Sequence, residues 1–255
     1  MSVMRSRFLS SCYCLAVSFA AAVSFSAQSA VLTAGSPPSS APTTFLNTQT
    51  GKIEGFMPDV AAEVIKRQHL DVNFTAIPFS TLIQSVIAGK IDLIVAGMTP
   101  TKEREKRISF SQPVTAFGAG IVVRDDNKKT YHDWQDLKGE IVGSMAGTDY
   151  TQSLMTSGIA KEVKVYDSPA DMTRDLSLGR INVGMNDYPI LKAQQNAGGL
   201  KGMHVVDDYK PQTISPMAFG VKKGNDALLA KINHALTEMK ADGTLQKIKN
   251  KWGMP

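Results

Sequence analysis

From Val31 onward, short apolar runs alternate with amphipathic stretches, a pattern that commits the chain to strands and helices in alternation and hence to an α/β fold. Val31–Ala34 predicts a short strand, and the Pro-, Ser- and Thr-rich stretch Gly35–Thr44 a loop. Pro58 in a first turn, with Val60, Val64 and Ile65 on one face, predicts a helix, and Val72–Ile77 a strand. Thr81–Ala88 reads as a helix stopped by Gly89, and Ile91–Ala96 as a strand apolar enough for burial on both faces, followed by the loop Gly97–Thr101. Strands at Ala119–Val123 and Ile141–Ser144 come next. Ser168-Pro169 then opens a helix to Leu178, Gly179 stops it, and Ile181–Met185 is a strand. An amphipathic helix, Ala227–Ala241, and a short helix ending at Trp252 complete the pattern.

Two segments match one another. Ile87-Ala88-Gly89-Lys90-Ile91-Asp92 and Ser177-Leu178-Gly179-Arg180-Ile181-Asn182 each end a helix with Gly and begin a buried strand. One helix–strand unit is therefore expected once in each of two lobes. In open α/β sheets ligands sit beyond the carboxyl ends of the strands, where loops and helix N-termini offer unpaired N–H groups. The two loops so marked hold Gly97, Thr99 and Arg104 in the first unit, and Asn186 and Asp187 in the second.

At the N-terminus, Arg5 and Arg7 precede the uncharged run Phe8–Ala30, which reads as a secretory signal peptide spanning residues 1–29. Small Ala27 and Ser29 suit cleavage after Ser29 or one residue to either side. The competing reading is a retained anchor, since the run nearly reaches the ~18–20 apolar residues a span needs, but its many serines favour removal. Export places the protein in the periplasm. Both cysteines, Cys12 and Cys14, leave with the signal, so the mature chain holds no disulfide, thiolate metal site or thiol nucleophile. Removal of Arg5 and Arg7 lowers the formal charge from +5 to +3, a weak basic balance that argues against a nucleic-acid partner. No metal site and no cofactor are expected: His69, His132, His204 and His234 lack metal-ligand spacing, and there is no phosphate loop.

Read in order, the motifs Thr50-Gly51-Lys52-Ile53-Glu54-Gly55-Phe56 with Asp59, Ala88-Gly89-Lys90-Ile91-Asp92 and Ala96-Gly97-Met98-Thr99-Pro100-Thr101-Lys102-Glu103-Arg104 are followed by Phe110-Ser111-Gln112-Pro113. Asp136-Leu137-Lys138-Gly139, Ala146-Gly147-Thr148, Leu178-Gly179-Arg180, and Ala235-Leu236 through Asp242-Gly243-Thr244 to Lys251-Trp252-Gly253 continue the series. Each is weak alone. Together the chain resembles the periplasmic solute-binding proteins of polar amino-acid ABC importers, the bacterial extracellular solute-binding proteins of family 3. The resemblance implies a two-lobed, type II periplasmic-binding-protein fold, each lobe a mostly parallel sheet flanked by helices, with a two-strand hinge. Lobe 1 would be discontinuous, residues 31–115 plus 217–255, with lobe 2 at 116–216.

The same resemblance implies the site. Arg104 matches the arginine that grips a ligand α-carboxylate, a task suited to its bidentate fork, and Thr99 and Gly97 would add a hydroxyl and an N–H to that carboxylate. Asp187 matches the lobe 2 carboxylate that receives the α-ammonium, Thr148 would add a hydroxyl or N–H, and Phe79 matches an aromatic wall. Thr43 stands where an aromatic is common, and Ser40 and Pro37 where members that bind basic amino acids offer an aromatic ring and an acid. A cationic side chain would lack its usual sandwich and counter-charge there, which disfavours Lys, Arg and ornithine as ligands. Asp149 and Tyr150 remain available to shape the side-chain pocket. The implied partners are an amino-acid ligand and an inner-membrane ABC permease, with the binding protein a monomer. Two other readings compete: a periplasmic prephenate or arogenate dehydratase on the same fold, needing only one well-placed acid, and the sensor module of a signalling protein, disfavoured because no span or output domain follows Trp252. The chain carries no nucleophile-elbow or zinc-protease motif, and no catalytic residue is assigned.

Overall fold

Leu32–Ser36 lies between Val72–Ala76 and Leu93–Met98, parallel to both, in a computed structural model that describes residues 31–255. The expected signal peptide lies outside the described residues. Beyond Leu93–Met98 the long strand Ser215–Lys222 runs antiparallel and carries Ile108–Phe110 on its far edge. A second sheet repeats the arrangement. Ile141–Met145 lies between Glu162–Tyr166 and Val183–Asp187, parallel to both, followed by antiparallel Ala119–Arg124 and the edge strand Met203–Val205. The two sheets form two lobes of one α/β fold.

The matched hexapeptides occupy equivalent places in these sheets. Gly89 and Gly179 take left-handed φ of 71° and 68°, the conformation that ends a helix at least cost to glycine. The residue after each closes the helix end with a backbone bond of 2.9 Å, Lys90 N to Ser85 O and Arg180 N to Asp175 O. Asp92 Oδ2 then accepts from Thr33 N at 2.8 Å, and Asn182 Oδ1 accepts from Ile141 N at 2.9 Å. In both lobes a short polar side chain thus satisfies an amide at the start of the neighbouring strand, the second in lobe 1 and the first in lobe 2.

Alternation along the central strands builds a core on each side of each sheet. Leu93 and Val95 face a cluster with Phe56, Val60 and Val64 of the helix Phe56–Arg67 and Ile232 and Leu236 of the helix Asp226–Ala241, whereas Ile94 faces Leu82, Val86 and Ile91. In the second sheet Ile121 and Val123 pack with Trp134 and Leu137, and Val122 packs with Met172 and Leu191. The buried strand of the first unit begins at Leu93, two residues later than Ile91 suggested, because Ile91 is buried in the turn that precedes the pairing. Gly97 and Met98 consequently belong to the strand and not to the loop. The Pro/Ser/Thr-rich stretch also hides a rung, Ser39–Ser40, paired to Thr44–Asn47 and through it to Lys52–Glu54.

The chain crosses between sheets through Thr115–Phe117, which pairs antiparallel with Ser215–Met217. Steps 115–116 and 216–217 fall on this paired ribbon. Among the described residues no helix is long and apolar enough to cross a membrane.

Candidate functional site

The carboxyl ends of Leu32–Ser36, Leu93–Met98, Ile141–Met145 and Val183–Asp187 all open onto one cavity of about 310 Å³ between the lobes. Arg104, Thr99, Gly97, Phe79 and Thr43 line it from the first lobe, and Asp187 and Thr148 from the second. The seven residues singled out in the sequence share this one cavity.

Arg104 sits on the short helix Lys102–Glu105, whose cap Thr101 accepts from Arg104 N at 3.3 Å. Its guanidinium is held on three sides: Nη1 donates to Thr99 O at 2.7 Å, Nη2 donates to Gly147 O at 2.7 Å, and the carbon lies 5.8 Å from the Phe79 ring centroid. The Phe79 contact is in cation–π range. Because Gly147 belongs to the second lobe, the bond to its carbonyl crosses the cleft. The remaining N–H groups of the fork stay available to a carboxylate. Burial lowers the Arg104 pKa, with Asp149, Asp187 and Tyr150 acting in the opposite direction.

Gly97 brings backbone close to this point with φ of 59°, and a Cβ there would stand 3.2 Å from Thr43 Cγ2. Thr99 has only a long contact from its hydroxyl to Met217 Sδ, 3.9 Å. Thr43 is buried, and its Oγ1 has no hydrogen-bond partner. A buried hydroxyl left unpaired carries a desolvation cost that an incoming polar group removes.

On the opposite wall Asp187 ends its strand and begins the helix Tyr188–Asn196. Its carboxyl is pushed up to about 7, first by burial and then by the charge of Asp149, while Tyr150 and Arg104 pull it down. Asn186 is also buried here, accepting from Tyr150 Oη at 3.2 Å and from Asp187 N at 2.8 Å, with its Nδ2 unpartnered. Burial, then the Asp187 charge, holds the Tyr150 phenol well above its usual range. Thr148 caps the helix Asp149–Ser157, and its hydroxyl is already engaged with Met145 O at 3.0 Å, Thr151 N at 3.3 Å and Thr151 Oγ1 at 2.7 Å. What this corner offers a ligand is therefore the helix N-terminus more than the Thr148 hydroxyl.

At the cleft mouth Ser80 Oγ donates to Asp167 Oδ1 at 3.3 Å, again from lobe to lobe. Asp167, Ser168, Met145, Ile190 and Met217 join the lining without having been marked in the sequence. Met145 could have been found as the residue just past the expected strand Ile141–Ser144, which the structure extends by one. Asp167 could not, because Glu162–Tyr166 is half-exposed and lacks a strong apolar signal. Among the described residues no cluster of three or more His, Cys, Asp or Glu is placed to hold a metal ion.

The family model for bacterial extracellular solute-binding proteins, family 3, matches residues 32–255. The ABC transporter arginine-binding protein 1 of Escherichia coli (strain K12) is 32% identical over 202 residues, covering 79% of this chain and 82% of the relative. The histidine-binding periplasmic protein of the same organism is 31% identical over 258 residues, covering 93% and 96%. A solved structure of an ancestral arginine-binding protein bound to glutamine superposes with a TM-score of 0.79 at 34% identity, covering 87% of this chain and 97% of that one. These relatives are binding proteins, not enzymes. With the sheets, the cleft and the match over nearly all described residues in agreement, the chain belongs to family 3 of the bacterial extracellular solute-binding proteins.

Proposed function

We propose that this protein captures a free amino acid between its lobes and hands it to an inner-membrane ABC permease after export to the periplasm. The observation that carries the reading is the opposition, across one cavity of about 310 Å³, of the fixed guanidinium of Arg104 and the carboxyl of Asp187. A zwitterion presents an anion and a cation to match, and contacts with both lobes favour the closed form because the open form cannot make them together. Thr99, the backbone at Gly97 and the N-terminus of Asp149–Ser157 serve the carboxylate. Phe79 keeps the guanidinium in place and walls the side-chain space with Thr43. The moving units in this reading are residues 31–115 plus 217–255 against 116–216, with the protein acting as a monomer.

The test is a thermal-shift screen of the mature protein against the twenty amino acids and cystine, since a ligand that binds only the folded form raises the melting temperature. One or a few strong stabilisers are expected. A flat response across the panel, confirmed by calorimetry, contradicts the reading.

A further inference from the structure

Asp149 lies near enough to Arg104 to act on its charge, but once an α-carboxylate occupies Arg104, a simple amino acid leaves Asp149 without a counter-charge of its own. It opens the helix Asp149–Ser157, lines the cavity, and receives only a long contact from Ser215 Oγ at 3.4 Å. Neither Asp149 nor Asp187 forms a salt bridge among the described residues. An α-carboxylate on Arg104 and an α-ammonium on Asp187 use one cation and one anion of the lining, and Asp149 is left over. Asp167 also faces the cavity, but it is exposed at the mouth and bonded to Ser80, so water screens it.

Space exists beside the surplus carboxylate. Past Asp149 and Asp187 a pocket of about 50 Å³ runs toward the hinge, bounded by Ser153, Tyr209 and Ser215. That is room for a group about the size of a water molecule or a terminal ammonium. Asn186, buried with an unpartnered amide nitrogen, completes the polar character of the same cavity wall.

Resting on the amino-acid reading above, we propose that Asp149 determines specificity by selecting an amino acid whose side chain bears a second cationic group. The sequence expectation against Lys, Arg and ornithine rested on lobe 1, which presents Pro37 and Ser40 to the cavity and no acid; in this proposal the counter-charge comes from Asp149 of lobe 2 instead. An acid in the first turn of a helix also complements the helix dipole. That structural role, however, is indifferent to the charge of the ligand, and this separates the two.

The test is calorimetric titration of the wild type and Asp149→Asn with ornithine and with norvaline, which shares its five-carbon chain but lacks the terminal amine. The wild type is expected to bind ornithine at least tenfold tighter than norvaline, and Asp149→Asn to lower ornithine affinity at least tenfold more than norvaline affinity. Equal losses for both ligands, or a wild type that prefers norvaline, overturns the inference while leaving amino-acid binding intact. A wild type that binds neither, with no amino acid stabilising it, overturns the amino-acid reading and this inference together. If Asp149→Asn melts below the wild type, Asp149→Ser, which keeps a good first-turn polar residue, repeats the comparison.

Discussion

Lobe 1 and lobe 2 end the same helix–turn–strand unit in opposite chemistry. Gly89 and Gly179 make the same left-handed stop, and Asp92 and Asn182 make the same bond to the adjoining strand. Beyond their strands, the first lobe offers a guanidinium held by Thr99 and Phe79, and the second offers the carboxyls of Asp187 and Asp149 with a helix N-terminus. Under the proposed function, a repeated scaffold with divided charge means that neither lobe alone holds a zwitterion. That proposal makes affinity and closure one event, and Arg104 already reaches across to Gly147 O.

The sharpest way to break the comparison is to empty the lobe 1 side. Removing one partner of a buried charge pair costs ~3–5 kcal/mol, and ~1.4 kcal/mol is tenfold in affinity, so Arg104→Ala should weaken binding at least ~100-fold by calorimetry. Unchanged affinity would refute the carboxylate role.

The lobe 2 side should answer differently because its acid is conflicted. Asp187 titrates near 7 in the free cleft, pushed up by burial and Asp149. Its raised pKa means that the neutral carboxyl favours the ligand-free fold at low pH, an advantage lost as pH rises through about 7. Asp187→Asn should therefore raise the ligand-free melting temperature at pH 8 while weakening amino-acid binding. Ligand ammonium needs the ionised form, so wild-type affinity should fall about ten- to thirtyfold between about pH 7.5 and 5.5, and this slope should vanish in Asp187→Asn. A slope that survives the substitution places the titrating group elsewhere.

Gly147 sharpens the point at which the lobes touch. It holds φ of 77°, and a Cβ there would lie 2.9 Å from Ser80 Cα. Gly147→Ala should hold the lobes slightly apart, weakening ligand about tenfold and reducing ligand-induced compaction in small-angle scattering. The smallest expected effect concerns the scaffold itself. Asp92→Ala and Asn182→Ala each strand one strand amide, at ~1–3 kcal/mol, and should lower the melting temperature by similar amounts. Strongly unequal losses would show that the repeat is one of shape and not of energetics.

Much of the scaffold was legible because its signals are local. Gly89 and Gly179 punctuate amphipathic helices, and the central strands are apolar on both faces. The seven residues that share the cavity were reachable because strand ends point to the cleft and the motifs around Arg104 and Asp187 resemble those of a known family. Most of what stayed hidden depends on partners distant in sequence, and the rest on competition for a hydroxyl within a single turn. The Thr148 hydroxyl is consumed by Met145 and Thr151, Arg104 finds Gly147 across the cleft, and Asp149 meets Ser215 of the returning hinge strand. Ile91 misled the strand boundary because burial in a turn leaves the same apolar mark as burial in a sheet.

The most direct measurement of the divided-charge account is a cycle that pairs deletions in the protein with deletions in the ligand. The best-binding amino acid, its analogue without the amine and its analogue without the carboxylate are titrated into the wild type, Arg104→Ala and Asp187→Asn. Losses should be non-additive within each matched pair, the carboxylate with Arg104 and the amine with Asp187, and additive across unmatched pairs, because only groups in contact couple. Additive losses in the matched pairs would contradict the claim that the two lobes hold opposite ends of one zwitterion.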